Sequence, residues 1–205
     1  MTMVLVVVGT APAFASTTSL DGPNPAIWLS DPEGNDGTNG IERGDPIVGS
    51  SGTATVNNDG ATIKVKATGL EPRHTNTMWV VFFSDQTACS DGCDGGDLVG
   101  DANGVTYGAG AVVGSSSGNA TFVARLNSGH VGSLVPGIYE AGADNEFHVV
   151  IRSHGPKIPG TVDAQTHEFQ GGCTDEVGPS PGQPGDFPVP ALPGECGDIQ
   201  LYVFG

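Results

Sequence analysis

The chain has 205 residues, of which 23 are acidic and only 7 are Lys or Arg, so its formal net charge is −16. This charge argues against nucleic acids and anionic membranes as partners, because both would repel the protein. The length suits one hydrophobic core, and 33 glycines with 15 prolines leave little room for long helices. We therefore expect a single, turn-rich domain.

Residues 1–15 have the features of a signal peptide. An apolar run is followed by Ala13-Phe14-Ala15, which fits the small-x-small cleavage pattern before Ser16. The first Lys or Arg is Arg43, so the usual basic segment is missing and we expect further residues upstream of Met1. A short buried N-terminal strand is the alternative. The pattern predicts a protein that is secreted or displayed at the cell surface, with no membrane span in its mature form.

Residues 16–46 are predicted to be an irregular N-terminal extension. They are rich in Asp, Gly, Asn and Pro around one apolar patch, 26–29, and we expect Trp28 to anchor them to the domain. The domain itself is predicted to span 47–205, with a Pro/Gly-rich loop at 174–195.

Short β-patterned runs follow one another from residue 47 onward. The runs 52–56 and 61–70 flank Asn57-Asn58-Asp59-Gly60, whose Asp-Gly pair predicts a hairpin. Residues 78–83, MWVVFF, are apolar throughout, which is typical of a strand that is covered on both faces.

The remaining strands decide the fold class. The runs 105–113 and 119–126 are joined by a Gly/Ser turn and predict a second hairpin, and the runs 146–153 and 199–204 complete the set. Seven or eight short strands without long helices predict an all-β fold, specifically an antiparallel Greek-key β-sandwich. A single sheet closed on itself is the alternative.

The cysteines indicate disulfides. An even number in an exported chain favours disulfide bonds, and three pairings are open. The short C-x3-C spacing suits a local bond, which would leave the other two to close the Pro/Gly-rich loop. A zinc site is the alternative, although it would need more nearby ligands. The four residues are Cys89, Cys93, Cys173 and Cys196.

The run 147–160, FHVVIRSHGPKIPG, holds the first candidate site. As a strand it would direct its apolar residues to the core and three polar side chains, His148, Arg152 and His154, to the opposite face, where they would be possible ligand contacts. Six strand residues span about 20 Å, so the two histidines could share copper or zinc only if the chain turned back at Ser153 or before.

The acidic loop 84–104 is the second candidate site. Calcium prefers oxygen ligands at short spacing on a glycine-rich loop, and this loop offers them. The EF-hand pattern is not met, because Val105 stands where an oxygen ligand belongs. A solvated, disulfide-bonded loop is the alternative. The possible ligands are Asp91, Asp94, Asp97, Asp101 and Asn103.

Several segments, taken in order, resemble a group of exported bacterial and archaeal all-β proteins of unassigned function. They are Gly69-Leu70-Glu71-Pro72 ahead of 78–83, CSDGC at 89–93, the run 147–160, and FQGGC at 169–173. The resemblance implies a secreted, disulfide-bearing, all-β protein. Where that group tends to have Gly-His-Val-Val-Gly, this chain has Ala111 in place of the histidine, so a metal ligand there is not carried over. A looser likeness to chordin-like and copper/zinc dismutase-like sandwiches carries no ligand across either.

No coherent catalytic constellation stands out in the sequence. It has no GxSxG and no HExxH pattern, and Ser153 and His154 would point to opposite faces of a strand. We therefore expect a non-catalytic binding or structural module, which takes a protein or carbohydrate ligand or self-associates through its sheet edges. The alternative is a metal-binding protein, either calcium-stabilised or resembling a copper/zinc oxidoreductase.

Overall fold

The computed structural model describes residues 17–23, 26–29, 41–89, 92–98, 100–114, 116–172 and 197–205. The fold is all-β, antiparallel and sandwich-like, as the sequence predicts. Seven described strands have seven or more residues and four are shorter. They are β1 (Thr18–Leu20), β2 (Ile27–Trp28), β3 (Ser51–Asn57), β4 (Gly60–Ala67), β5 (His74–Phe83), β6 (Asn103–Val112), β7 (Ala120–Asn127), β8 (Gly129–Val131), β9 (Gly137–Tyr139), β10 (Glu146–Pro156) and β11 (Gly197–Phe204).

The strands form two packed sheets and one small hairpin. One sheet has the order β1-β3-β4-β7, the other has the order β2-β11-β10-β5-β6, and β8 pairs with β9. Neighbours such as β4 and β7, or β5 and β10, are not consecutive in the chain, which is the Greek-key pattern. A helix, α1 (Val162–His167), follows β10. Among the described residues, no helix is long and apolar enough to cross a membrane.

The central strand β5 is buried on both faces, as its apolar run predicts. Met78, Val80 and Phe82 belong to the core between the sheets. The alternate residues face outward into a second apolar cluster, which includes Trp79 and Phe83. This cluster exists because the outer face of the five-stranded sheet is covered.

One predicted hairpin is confirmed and the other is wrong. β3 and β4 pair through a two-residue turn, Asn58-Asp59, with Asn57 opposite Gly60. The run 105–113 does not pair with the run 119–126, because β6 pairs with β5 and β7 pairs with β4. The Gly/Ser turn therefore carries the chain from one sheet to the other, and β6 and β7 lie close to each other in different sheets.

The N-terminal extension adds a short edge strand to each sheet. β1 pairs with β3, and β2 pairs with β11. Leu20 and Trp28 are buried in the core, and the Trp28 ring lies against the backbone of Gly69. The extension therefore closes one edge of both sheets.

Candidate functional site

Arg152, from the first candidate site, is fully buried (0 % exposed). Its Nη1 donates to Oδ1 of Asp198 at 3.0 Å, and its Nε donates to the carbonyl oxygen of Phe169 at 2.8 Å. The guanidinium also lies 4.0 Å from the centre of the Phe169 ring, a cation–π contact. Arg152 thus joins β10 to β11 and to the segment that follows α1.

Burial dominates the electrostatics of this ion pair. It raises the pKa of Asp198, while the charge and hydrogen bond of Arg152 act in the opposite direction. Within the described residues, Nη2 of Arg152 has no hydrogen-bond partner. The pair is therefore costly to break, because either member alone would be an uncompensated buried charge.

His154 is also fully buried (0 % exposed) and lies within a hydrogen-bonded chain. Its Nδ1 is 2.9 Å from the carbonyl oxygen of Gly171, which only accepts, so Nδ1 carries a proton. Its Nε2 is 2.8 Å from Oγ1 of Thr77, and that oxygen accepts a hydrogen bond from Nε1 of Trp79 at 2.9 Å. In the neutral ring, Nε2 accepts the Thr77 hydroxyl proton.

Gln165 of α1 completes the polar network. Its Nε2 donates to the carbonyl oxygens of His154 and Pro156, and its Oε1 accepts from the N–H of Ile158. Gly171 packs so closely on Ala164 that a Cβ there would clash with its carbonyl oxygen. Together these contacts hold residues 157–172, hereafter the covering segment, on the outer face of the five-stranded sheet.

The structure therefore separates the three residues proposed as ligand contacts. Arg152 and His154 lie beneath the covering segment, where a ligand in solvent does not reach them. β10 is continuous from Glu146 to Pro156, so the chain does not turn back at Ser153. The condition for a shared metal is not met, since His148 and His154 are about 20 Å apart along the strand.

His148 is the accessible residue of the three, with 17 % of its side chain exposed. Its Nε2 lies 2.6 Å from Oε1 of Glu146, and its ring meets the Phe83 ring edge-on. Beside it is a groove of about 270 Å³ over Val150 and Leu201. This volume falls below the roughly 300–1,000 Å³ of ordinary small-molecule pockets.

The acidic loop is organised by its own hydrogen bonds. The side chain of Asp94 accepts from the N–H of Gly96, and that of Asp97 accepts from the N–H of Asp94, which together cap a 3₁₀ turn. Asn103 donates to the Asp97 carbonyl oxygen. In the part of the chain that the structure describes, no three His, Cys, Asp or Glu residues are grouped as metal ligands. Asp91 lies outside the described residues.

One of the predicted disulfides is present. Cys89 and Cys93 are bonded, with their Cα atoms 5.1 Å apart. Cys93 is buried in the outer apolar cluster. Cys173 and Cys196 lie outside the described residues, as does the loop 174–195.

The outer face of the four-stranded sheet differs from the rest of this acidic protein. The outward positions of β3, β4 and β7, hereafter the basic face, include no Asp or Glu and three of the chain's seven Lys and Arg residues. Each is exposed or partly exposed, and Val123, midway along the edge strand β7, is 44 % exposed. The face consists of Ser51, Thr53, Thr55, Asn57, Thr62, Lys64, Lys66, Thr121, Val123, Arg125 and Asn127.

Strand register sets the spacing of the cations on the basic face. Lys66 lies opposite Thr121, Lys64 opposite Val123, and Arg125 opposite Thr62. They therefore occupy three successive rows, about 7 Å apart. The alternation of Lys64 and Lys66 is visible in the sequence. The addition of Arg125 requires the β4–β7 pairing, which sequence reasoning missed.

No protein-family model, curated protein or solved structure matches this chain. The resemblance to exported all-β proteins stays a prediction. Function is therefore argued from the chemistry of the surfaces described above.

Proposed function

We propose that this chain is a secreted, non-catalytic binding and structural module, which engages a carboxylate-bearing partner through the basic face. One observation carries the proposal. In a chain of net charge −16, the strands of one exposed sheet face carry no acidic residue and three cations. If this face served only to keep the protein soluble, we would expect it to carry acidic residues like the rest of the surface.

The spacing of the cations supports joint action. Neighbouring rows about 7 Å apart lie within the Debye length of about 10 Å at 0.1 M salt, so their potentials add. Threonine and asparagine side chains between them supply hydroxyl and amide groups for hydrogen bonds to the same partner. Val123 supplies an apolar side chain.

The use of Arg152 and His154 also favours a binding role. Their polar atoms hold the covering segment in place, so the most suggestive sequence motif contributes to the architecture. Among the described residues, the basic face is an exposed sheet surface that offers a broad contact to a partner.

Charge reversal tests the proposal. The variant K64E/K66E/R125E reverses the basic face, and R43E/R73E/K157E reverses three exposed cations elsewhere, so that both lower the net charge equally. We expect the parent chain and the control to be retained on immobilised polyglutamate at about 0.1 M salt, and the face variant to elute unretained. Equal loss in both variants would show that net charge, and not this face, governs binding.

A further inference from the structure

We infer that the carboxylate-bearing partner is a second copy of this chain, bound through its acidic end; this rests on the proposed function of the basic face. The acidic end is the group of carboxylates beside the termini of β5, β6 and β10 of the five-stranded sheet and of β9 in the small hairpin. It consists of Asp85, Asp94, Asp97, Asp101, Glu140 and Asp144.

Backbone contacts bring these loops together at one end of the sheet. The N–H of Gln86 donates to the carbonyl oxygen of Asp144, and that of Ile138 donates to that of Asp101. Oγ of Ser84 accepts from the N–H of Glu140. These contacts hold the loops after β5, before β6 and between β9 and β10 close together at one end of the sheet.

Charge complementarity selects this occupant. The basic face has three cations and no carboxylate on its strands, whereas the acidic end has six carboxylates. Because the two surfaces differ, we expect the basic face of one copy to meet the acidic end of the next, a heterologous contact through which successive copies add head to tail.

The sheet edges are less suited to this assembly. β1 already pairs with β3, and β2 already pairs with β11, within the same chain. β1 covers three residues of β3 and β2 covers two of β11, so the N-terminal extension already occupies part of one edge of each sheet. The basic face needs no such rearrangement before it can dock a partner.

Salt should act in two opposite ways on this contact. Copies of net charge −16 repel one another at long range. Salt reduces the range of this repulsion, because the Debye length falls from about 30 Å at 0.01 M to about 8 Å at 0.15 M. The contact pairs themselves weaken only when the Debye length falls to about 3 Å, near 1 M. Association should therefore rise and then fall as salt is increased, whereas an apolar contact would keep strengthening.

A charge-swap experiment tests the inference. The chain from Ser16, which contains every described residue, is studied by sedimentation velocity at about 1 mM, because exposed ion pairs contribute little each and the contact is expected to be weak. The face variant is K64E/K66E/R125E. The end variant is D101K/E140K/D144K, whose native side chains make no hydrogen bond within the described residues. We expect the parent chain to associate, each variant alone to be monomeric, and an equimolar mixture of the two to associate again.

The controls separate this inference from the function on which it rests. R43E/R73E/K157E leaves both surfaces intact, so it should associate like the parent chain, alone or mixed with the end variant; loss of its association would show that net charge, and not these two surfaces, governs the contact. A parent chain that remains monomeric at every salt concentration, yet binds polyglutamate through Lys64, Lys66 and Arg125, would overturn the inference and leave the proposed function standing. If the parent chain neither self-associated nor bound polyglutamate, both the inference and the proposed function would be overturned. Melting curves establish that each variant is folded.

Discussion

The two outer sheet faces of this protein show two uses of polar residues. On the five-stranded sheet, Arg152 and His154 are fully buried and hydrogen-bonded to the covering segment. On the four-stranded sheet, Lys64 and Arg125 are exposed, and no described element lies over them. Basic and polar side chains therefore stabilise the fold on one sheet face, whereas on the other they remain exposed to a partner.

The difference follows from what a buried polar group requires. A charged group or ring nitrogen that is removed from water needs a hydrogen-bond partner. Arg152 and His154 find such partners in the carbonyl oxygens of the covering segment, which is therefore held against the sheet. The basic face has no such requirement, because water solvates it. A suggestive motif in a sequence is therefore a weak guide to function until its burial is known.

The largest expected effect comes from breaking the buried ion pair. Arg152→Ala leaves the buried Asp198 carboxyl without its cation, so it must either keep an uncompensated charge or take up a proton, which should cost about 3–5 kcal/mol of unfolding free energy. Urea unfolding measures it. The matched control, Arg125→Ala on the basic face, should unfold near the parent midpoint. If Arg152→Ala and Arg125→Ala lost equal unfolding free energy, the proposed difference between the two sheet faces would be wrong.

A double variant sharpens the same point. Arg152→Met with Asp198→Leu removes both charges, so no uncompensated charge stays buried, and its loss of stability should be smaller than that of Arg152→Ala alone. A double variant as unstable as the single one would mean that the contacts to Phe169 matter more than the ion pair.

A smaller effect is expected from loosening the covering segment. Gln165→Leu keeps the side-chain size and leaves buried backbone groups at His154, Pro156 and Ile158 without partners, which should cost about 1–3 kcal/mol. Hydrogen exchange across α1 and limited proteolysis should both accelerate. Gln170→Leu, an exposed glutamine of the same segment, is the control and should leave both rates unchanged.

Substitution of Val123, on the basic face, should change stability least. Val123 is 44 % exposed, so Val123→Thr should shift the unfolding free energy by less than about 0.5 kcal/mol in dilute solution. A loss that appears only at high protein concentration would indicate that another copy covers the residue. A large loss in dilute solution would show that the face is not bare.

A chelator should have no effect if the acidic loop is held by its own hydrogen bonds. The caps at Asp94 and Asp97 need no cation, so excess EDTA should leave the melting temperature unchanged. A rise in melting temperature on adding calcium, abolished by Asp97→Asn and Asp101→Asn together, would instead support the calcium-stabilised alternative.

Much of the fold could be predicted from local pattern. The alternation from Phe147 to Ile151 places its apolar side chains in the core, and the MWVVFF run is buried on both faces. The Asn58-Asp59 turn forms a hairpin. These features depend on period and turn chemistry within ten residues, which a single sequence displays.

The candidate sites could not be predicted in the same way. Arg152 is paired with Asp198, 46 residues away, and His154 with Thr77, 77 residues away, and no local pattern announces either partner. β6 and β7 look like a hairpin because both alternate around a Gly/Ser turn. Their true partners, β5 and β4, are set by which sheet buries each apolar face. β8 and β9 are too short to show a period.

The pairing of β2 with β11 also bears on how the chain can fold. The N–H of Gly205 donates to the carbonyl oxygen of Asp21, so the earliest and latest described segments meet. During synthesis the N-terminal segment emerges first and has to wait for a strand more than 160 residues later. Closure of the five-stranded sheet is thus delayed until β11 has been synthesised, and removal of β2 or β11 should leave an open, association-prone edge.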